Sequence, residues 1–401
     1  MPLSWALLAS LALAAAGYMV GRSRAFASAG ADSRTLHSRP TYHGMSVALL
    51  ALIPALVIMV LGALARMTGL LSAEAGGVVG LLALGAAVIG LGIGVSRINA
   101  GFMARNAVEK IVLGFLIFCS TIAIATTLGI ILSLVFETGN FFSQYDWRAF
   151  FFGTEFVPRF EGNSRLGVLP LLWGTLYISF IALLVAVPIG LFGAIYLSEY
   201  AGPRTRSLAK PVIEVLAGIP TIVYGLFALV TVGPMLRDAI AQPLGLGSSA
   251  SSVMTAGLVM GIMLIPFVSS LSDDIINAVP QSLRDGALGL GSTPSETIKQ
   301  VVLPAALPGI VGAVLLAASR AIGETMIVVL GAGAAATLSL NPFEAMTTIT
   351  VKIVSQLTGD NDFSSPETLV AFALGLTLFV ITLCLNIVAL IIVRKYREQY
   401  E

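Results

Sequence analysis

Nine uninterrupted apolar runs of 18 or more residues dominate this chain, at 3–20, 46–65, 78–95, 111–136, 171–197, 212–236, 254–272, 305–331 and 369–393. About 20 residues at a 1.5 Å rise cross the hydrocarbon core of a bilayer, so each run is long enough to span it. No water is available there to satisfy backbone N–H and C=O groups, and each run must therefore be a helix. The composition agrees. Of 401 residues, 57% are hydrophobic and 11% charged, whereas soluble domains are about a quarter charged. The expected fold class is an all-α membrane protein with nine transmembrane helices in contact with membrane lipid.

A net charge of +1 offers no basic surface for nucleic acid. Cys119 and Cys384 lie in separate apolar runs, and the two histidines, His37 and His43, form no cluster with them. Neither a disulfide framework nor a metal site is expected, no cofactor is implied, and the thiols read as buried and inert.

Lysine and arginine set the orientation. With the carboxyl terminus in the cytoplasm, the inner segments carry fifteen of these residues and the outer ones six, as positive-inside topology requires. The first run precedes a small-residue stretch, "AFASAG", that resembles a cleavage site. However, no positive charge comes before it and it exceeds the usual length of about 7 to 15 residues, so it reads as a retained span. The Ser-, Arg- and Gly-rich stretch 21–44 reads as a flexible linker. A second break near 97–105 divides the chain into a three-span extension, 1–104, and a six-span core, 105–401.

One polar stretch interrupts the core, "RDGALGLGSTPSETIKQVVLP", residues 284–304. Pro280 suits a first helical position and Gly291 can close the helix in the left-handed conformation. Thr293, Pro294 and Glu296 form a capping box that starts a second helix ending near Leu303 and Pro304. Two readings fit this helix–turn–helix: a projecting elbow, or an amphipathic loop resting on the membrane surface.

Within the run 305–331, Arg320 and Glu324 stand four apart, on one helix face and near the middle of the run. A buried arginine costs about 2.5 to 3.5 kcal/mol on insertion scales, so it is expected to face the bundle interior or a wet cavity. Its planar fork matches a tetrahedral oxyanion, and Glu324 would hold the fork in place. The bland alternative is a structural ion pair. Near the ends of other runs, Asp273 and Asp274 read as solvated, and Lys210 with Glu214 as a local i,i+4 pair. Pro188, Pro220 and Pro266 read as kinks. The aromatic stretch 141–156, "FFSQYDWRAFFFGTEF", either docks a partner or anchors to headgroups.

The elbow resembles the EAA loop of type I ABC-importer permeases. Asp285, Gly286, Ala287, Gly291, Val301, Leu303 and Pro304 take the motif's places, with Asp, Gly and Val replacing the family's Glu, first Ala and Ile. Gly286 loosens the helix by up to ~1 kcal/mol relative to Ala. "RAIGET" (320–325) resembles the matching segment of bacterial phosphate-specific permeases, where this Arg and Glu are needed for transport. "FFFGTEFVP", "LGVLPLLWGTLYIS", "LSEY" and "LAGIPTIVYGLFAL" extend the likeness over roughly 105–397, and the "ETM" that follows the glycine is closer to the C-type subunit than to its A-type sister.

The resemblance implies a six-helix permease core in a bacterial inner membrane. It implies inorganic phosphate as cargo, a sister permease in a heterodimer, two ATPase subunits gripping the elbow, and an extracytoplasmic phosphate-binding protein. The chain has no GxxxxGK[ST] loop and only five lysines, so the expected ATPase is a separate protein and this chain is not itself an enzyme. A permease for molybdate or sulfate, or an ion-driven secondary transporter, stands as the alternative; the latter more often shows inverted repeats, which are not evident here.

Overall fold

The computed structural model describes residues 3–30, 36–72, 75–159, 164–359 and 365–397. It divides into two compact units, 1–128 and 129–401, with the division inside one long helix.

In the first unit, α1 (Leu3–Ala29), α2 (Pro40–Met67) and α3 (Gly76–Ser96) pack as unbroken helices, followed by α4 (Ala104–Gln144), which continues into the second unit. The buried faces of α1 and α3 are made almost wholly of small residues, and α2 adds His43, Val47 and Met59 to its small ones. On α1 these are Ala6, Ser10, Ala14, Gly17, Gly21 and Ala25, close to one per turn, and α3 presents Gly80, Ala83, Ala87, Gly90 and Gly94 in the same way. Lipid tails are as apolar as leucine, so helices associate here through close van der Waals contact, which small side chains allow. Gly90 lies so near the Leu50 carbonyl that an added methyl group would collide with it. The expected linker is shorter than its composition indicates. Helix α1 runs through Ala29 and α2 begins at Pro40, so 21–29 and 40–44 are helical; residues 31–35 of that linker lie outside the described residues.

The second unit continues with α5 (Trp147–Phe152), the antiparallel strands β1 (Phe156–Val157) and β2 (Arg165–Leu166), then α6 (Leu169–Ile195) and a π turn, Tyr196–Tyr200. Helix α7 (Pro203–Ala217) buries none of its residues. Helix α8 (Thr221–Phe227) joins α9 (Gly233–Leu236) through a π turn, Ala228–Val232, and a further π turn, Arg237–Ala241, follows. Next come α10 (Val253–Ala278), α11 (Gln281–Gly289), α12 (Pro294–Thr297), a π turn at Ile298–Val302, α13 (Leu303–Ile322), α14 (Met326–Gly331), α15 (Ile349–Gly359) and α16 (Pro366–Arg397). Helix α10 is the most buried of the spans, with 67% of an apolar 18-residue stretch of it buried. The π turns have a local cause at two places. Pro234 and Pro304 supply no N–H to Val230 and Gln300, four residues back, and the helix widens just upstream, closing instead from Gly233 N–H to Ala228 O and from Leu303 N–H to Ile298 O.

Among the described residues nine helical stretches are long and apolar enough to cross a membrane, and the protein is an all-α membrane protein. Two expected spans are redrawn. The run 212–236 is not one helix: α7 stops at Ala217, and the span is Thr221–Ala241, because Pro220 disfavours helical geometry in Ile219 before it. The run 305–331 ends at Ile322. At its other end the helix extends back through Val302 to Pro294, so the second elbow helix does not stop at Leu303 and Pro304 but merges with the span.

The aromatic stretch gives three phenylalanines, Phe141, Phe150 and Phe156, to the core, while most of its other residues are exposed. Phe141 and Phe150 are fully buried 5.4 Å apart in edge contact, packed with Phe156, Leu166 and Leu374, while Trp147 and Phe152 remain exposed. Cys119 and Cys384 are free thiols, but both are exposed in the isolated chain, on the apolar outer faces of α4 and α16, rather than buried.

Candidate functional site

The elbow forms as its punctuation requires. Pro280 is the N-cap and α11 begins at Gln281. Gly291 takes φ +91°, a conformation glycine adopts without strain, and its N–H bonds Leu288 O (3.0 Å) while Ser292 N–H bonds Ala287 O (3.2 Å). The capping box closes in both directions: Glu296 N–H donates to Thr293 Oγ1 and Thr293 N–H to Glu296 Oε2 (2.8 Å). Of the motif positions, Ala287 is buried, Val301 and Leu303 are half-buried, and Asp285, Gly286, Gly291 and Pro304 are exposed. Leu290 at the tip is 91% exposed and Leu288 46%, an apolar surface held away from the bundle. Beneath it Ile276, Val279, Val302, Ala306 and Ile310 pack against Ala194.

Arg320 and Glu324 do not share a helical face. Helix α13 ends at Ile322 with Gly323 as its cap, and Glu324 turns away to accept from Met326 N–H (3.1 Å) at the start of α14. Thr350 Oγ1 donates to the Glu324 carbonyl (2.9 Å). Gly323 interrupts the helix, so the i,i+4 spacing does not bring the two side chains onto one face. Arg320 forms no ion pair among the described residues. Its guanidinium lies 5.5 Å from the centre of the Phe267 ring and lines a cleft of about 280 Å³ shared with Glu214, Thr221 and Ser270. A cation over an aromatic face is stabilised without being neutralised, so the group keeps its capacity for an anion.

The acidic end of α10 also departs from expectation. Asp273 is buried, at 4% side-chain exposure, and not solvated. It accepts from Arg206 (3.1 Å) and Lys210 (2.8 Å) on α7 and from Asn277 Nδ2 (2.9 Å). The partner of Lys210 is thus Asp273, with exposed Asp274 at 3.7 Å, and not Glu214. The hydrogen bond to Asp273 holds the Lys210 ammonium above the usual lysine value. Arg284 is likewise engaged, with Glu199 at 2.9 Å and both side chains 13% exposed. Sequence reasoning missed both clusters. The available signals were the i,i+4 spacing of Arg206 with Lys210 and of Asp273 with Asn277. No group of three metal-ligating side chains occurs among the described residues.

Nine apolar helical stretches among the described residues, a projecting apolar-tipped elbow and an arginine without an ion pair beside a cleft make this a polytopic membrane protein. The chain belongs to the family of binding-protein-dependent transport system inner membrane components, whose model matches residues 186–398. A second model, described as phosphate ATP-binding cassette transporter, matches residues 7–72, in the amino-terminal spans. The chain is 36% identical over 262 residues to a phosphate transport system permease protein, PstC, of Mesorhizobium japonicum, covering 59% of this chain and 77% of that one. It is 35% identical over 287 residues to PstC of Pasteurella multocida, covering 67% and 86%. To a probable ABC transporter permease protein, YqgH, of Bacillus subtilis it is 34% identical over 222 residues, covering 55% and 70%.

Proposed function

We propose that this chain is the permease subunit of an ATP-driven phosphate importer. It contributes the membrane pathway, and separate subunits hydrolyse ATP. Residues 1–104 are a membrane extension and 105–401 the transport core. The core works as the C-type member of a heterodimer with a sister permease, served by two ATPases and an extracytoplasmic phosphate-binding protein. It sits in the bacterial inner membrane with its carboxyl terminus in the cytoplasm, the side richer in lysine and arginine.

The observation that carries this reading is the Arg320 guanidinium, without an ion-pair partner among the described residues and facing a cleft in the core. Phosphate near neutral pH carries about −1.5 to −2 charges, by analogy with phosphoryl groups, and lipid alone would exclude it. Arg320 supplies a transient counter-charge with fork geometry. Glu324 acts at a distance from the fork: by capping α14 it fixes the bend after Gly323 and so the position of Arg320. The elbow, through Asp285, Gly286, Ala287 and Gly291 and the join at Val301, Leu303 and Pro304, is the surface the ATPase grips. Binding along the pathway has to be weak, because a tight site would hold the anion.

The test is phosphate uptake by cells producing Arg320→Gln or Arg320→Lys at normal protein levels. Uptake is expected to fall at least about tenfold in the Gln variant, with partial retention in Lys, which keeps the charge but loses the fork. Normal uptake by the Gln variant removes the anion-pathway role.

A further inference from the structure

The "LSEY" segment carries Glu199 at the π-turn end of α6, and Arg284 lies on the elbow helix α11, whose only buried residue is Ala287. Arg284 nonetheless reaches inward. Its Nη1 donates to Val279 O (2.7 Å), and its Nη2 donates to Ile276 O (2.8 Å) and to Glu199 Oε1 (2.9 Å). The two carbonyls belong to the end of α10, where the last C=O groups of a helix have no partner within it. One planar fork therefore ties three pieces together: the elbow, the end of α10 and the end of α6. We propose that Glu199 and Arg284 form the joint that carries the elbow's movement into the bundle, as positioning residues of the transport cycle.

The joint does not stop at Glu199. Ser198, beside it, bonds Asn277 Oδ1 (3.3 Å), Asn277 bonds Asp273, and Asp273 holds Arg206 and Lys210 of α7. One turn past Lys210, Glu214 lines the cleft that holds Arg320. Side-chain bonds thus run from Ser198, the sequence neighbour of Glu199, through Asn277 and Asp273 to Lys210, and end one turn short of Glu214 at the cleft. A forked, mostly desolvated charge pair resists slipping, since parting it leaves an uncompensated charge in a largely dry site. Apolar residues of similar volume would hold the fold at least as well, so the pair's value lies in direction rather than strength.

This inference rests on the ATP-driven reading above. It is tested on the full complex, with sister permease, ATPases and binding protein, reconstituted in phospholipid vesicles and assayed for inorganic phosphate imported per ATP hydrolysed. Glu199→Gln is expected to keep hydrolysis but lower phosphate per ATP by about tenfold, within the usual range of coupling energies. Glu199→Asp, which keeps the carboxylate, should recover part of it. If Glu199→Gln does not assemble, Arg284→Lys decides: an ammonium cannot span two carbonyls and a carboxylate with one rigid fork, and the same drop is expected. An unchanged ratio in either assembled variant overturns the proposal, and so does failure of both to assemble, which would make the pair a folding clamp only. Should wild type import a different oxyanion, the phosphate reading fails on its own, and the ratio measured with that anion still decides the joint.

Discussion

The two units of this protein bury helices in opposite ways. Through residue 128 the ion pair among the described residues is exposed Arg105–Glu109, and α1 to α3 are regular helices joined mainly along glycine, alanine and serine. From residue 129 onward, helices widen into four π turns among the described residues, break at Gly218–Pro220 and Gly323–Thr325, bury Asp273 and hold Glu199 and Arg284 partly buried. Small-residue packing at close approach admits one arrangement, because any shift meets backbone. Wide turns and breaks leave the chain places to bend, and π turns gather at functional sites. The contrast predicts a first unit that holds one arrangement and a second that bends at its wide turns and breaks.

Breaking this contrast should cost most at Asp273. Asp273→Ala leaves Arg206 and Lys210 without their shared carboxylate, and because both cations are about one-third exposed the loss should sit near the lower bound for buried pairs, about 3 kcal/mol. It is read as reduced thermal stability of the detergent-solubilised complex. Gly90→Val, by overpacking against Leu50, should destabilise by about 2 kcal/mol, yet leave phosphate imported per ATP unchanged in what remains folded. A changed ratio would contradict the static role of the first unit. Gly291→Ala forces a side chain into the left-handed region and should lower the stability of the isolated subunit by about 1 kcal/mol and weaken co-purification of the ATPase.

The smallest effect is alkaline. The ordinary lysine value is 10.5 and that of Lys210 in the fold is higher. Its pairing with Asp273 therefore contributes fully below the unfolded value and is lost as pH rises through the folded one. Stability should fall above roughly pH 10, and less steeply in Lys210→Arg, which stays charged there.

Much of the fold was legible because lipid leaves few options. Run length alone placed the nine spans, and the elbow followed from Gly291 and the Thr293–Glu296 capping box, where the instructions are local. Errors arose where local rules met tertiary ones. Gly323 ended a helix that periodicity would continue, separating Arg320 from Glu324, and Pro220 divided an apolar run that hydropathy joined. The buried charges escaped notice because their partners are remote in sequence, 63 and 67 residues apart for Asp273 and 85 for Arg284 with Glu199. A carboxylate at the end of an apolar run looks solvated until the cations of another helix arrive.

The central claim is that this chain moves phosphate only when a separate ATPase acts on its elbow. The most direct measurement is uptake of labelled phosphate into vesicles containing the reconstituted complex, with Leu290→Glu placing a charge on the apolar tip. Wild type should import phosphate only with ATP and the ATPase subunits present, and Leu290→Glu should abolish uptake by releasing the ATPase. Phosphate import by the permease without any hydrolase would contradict the account.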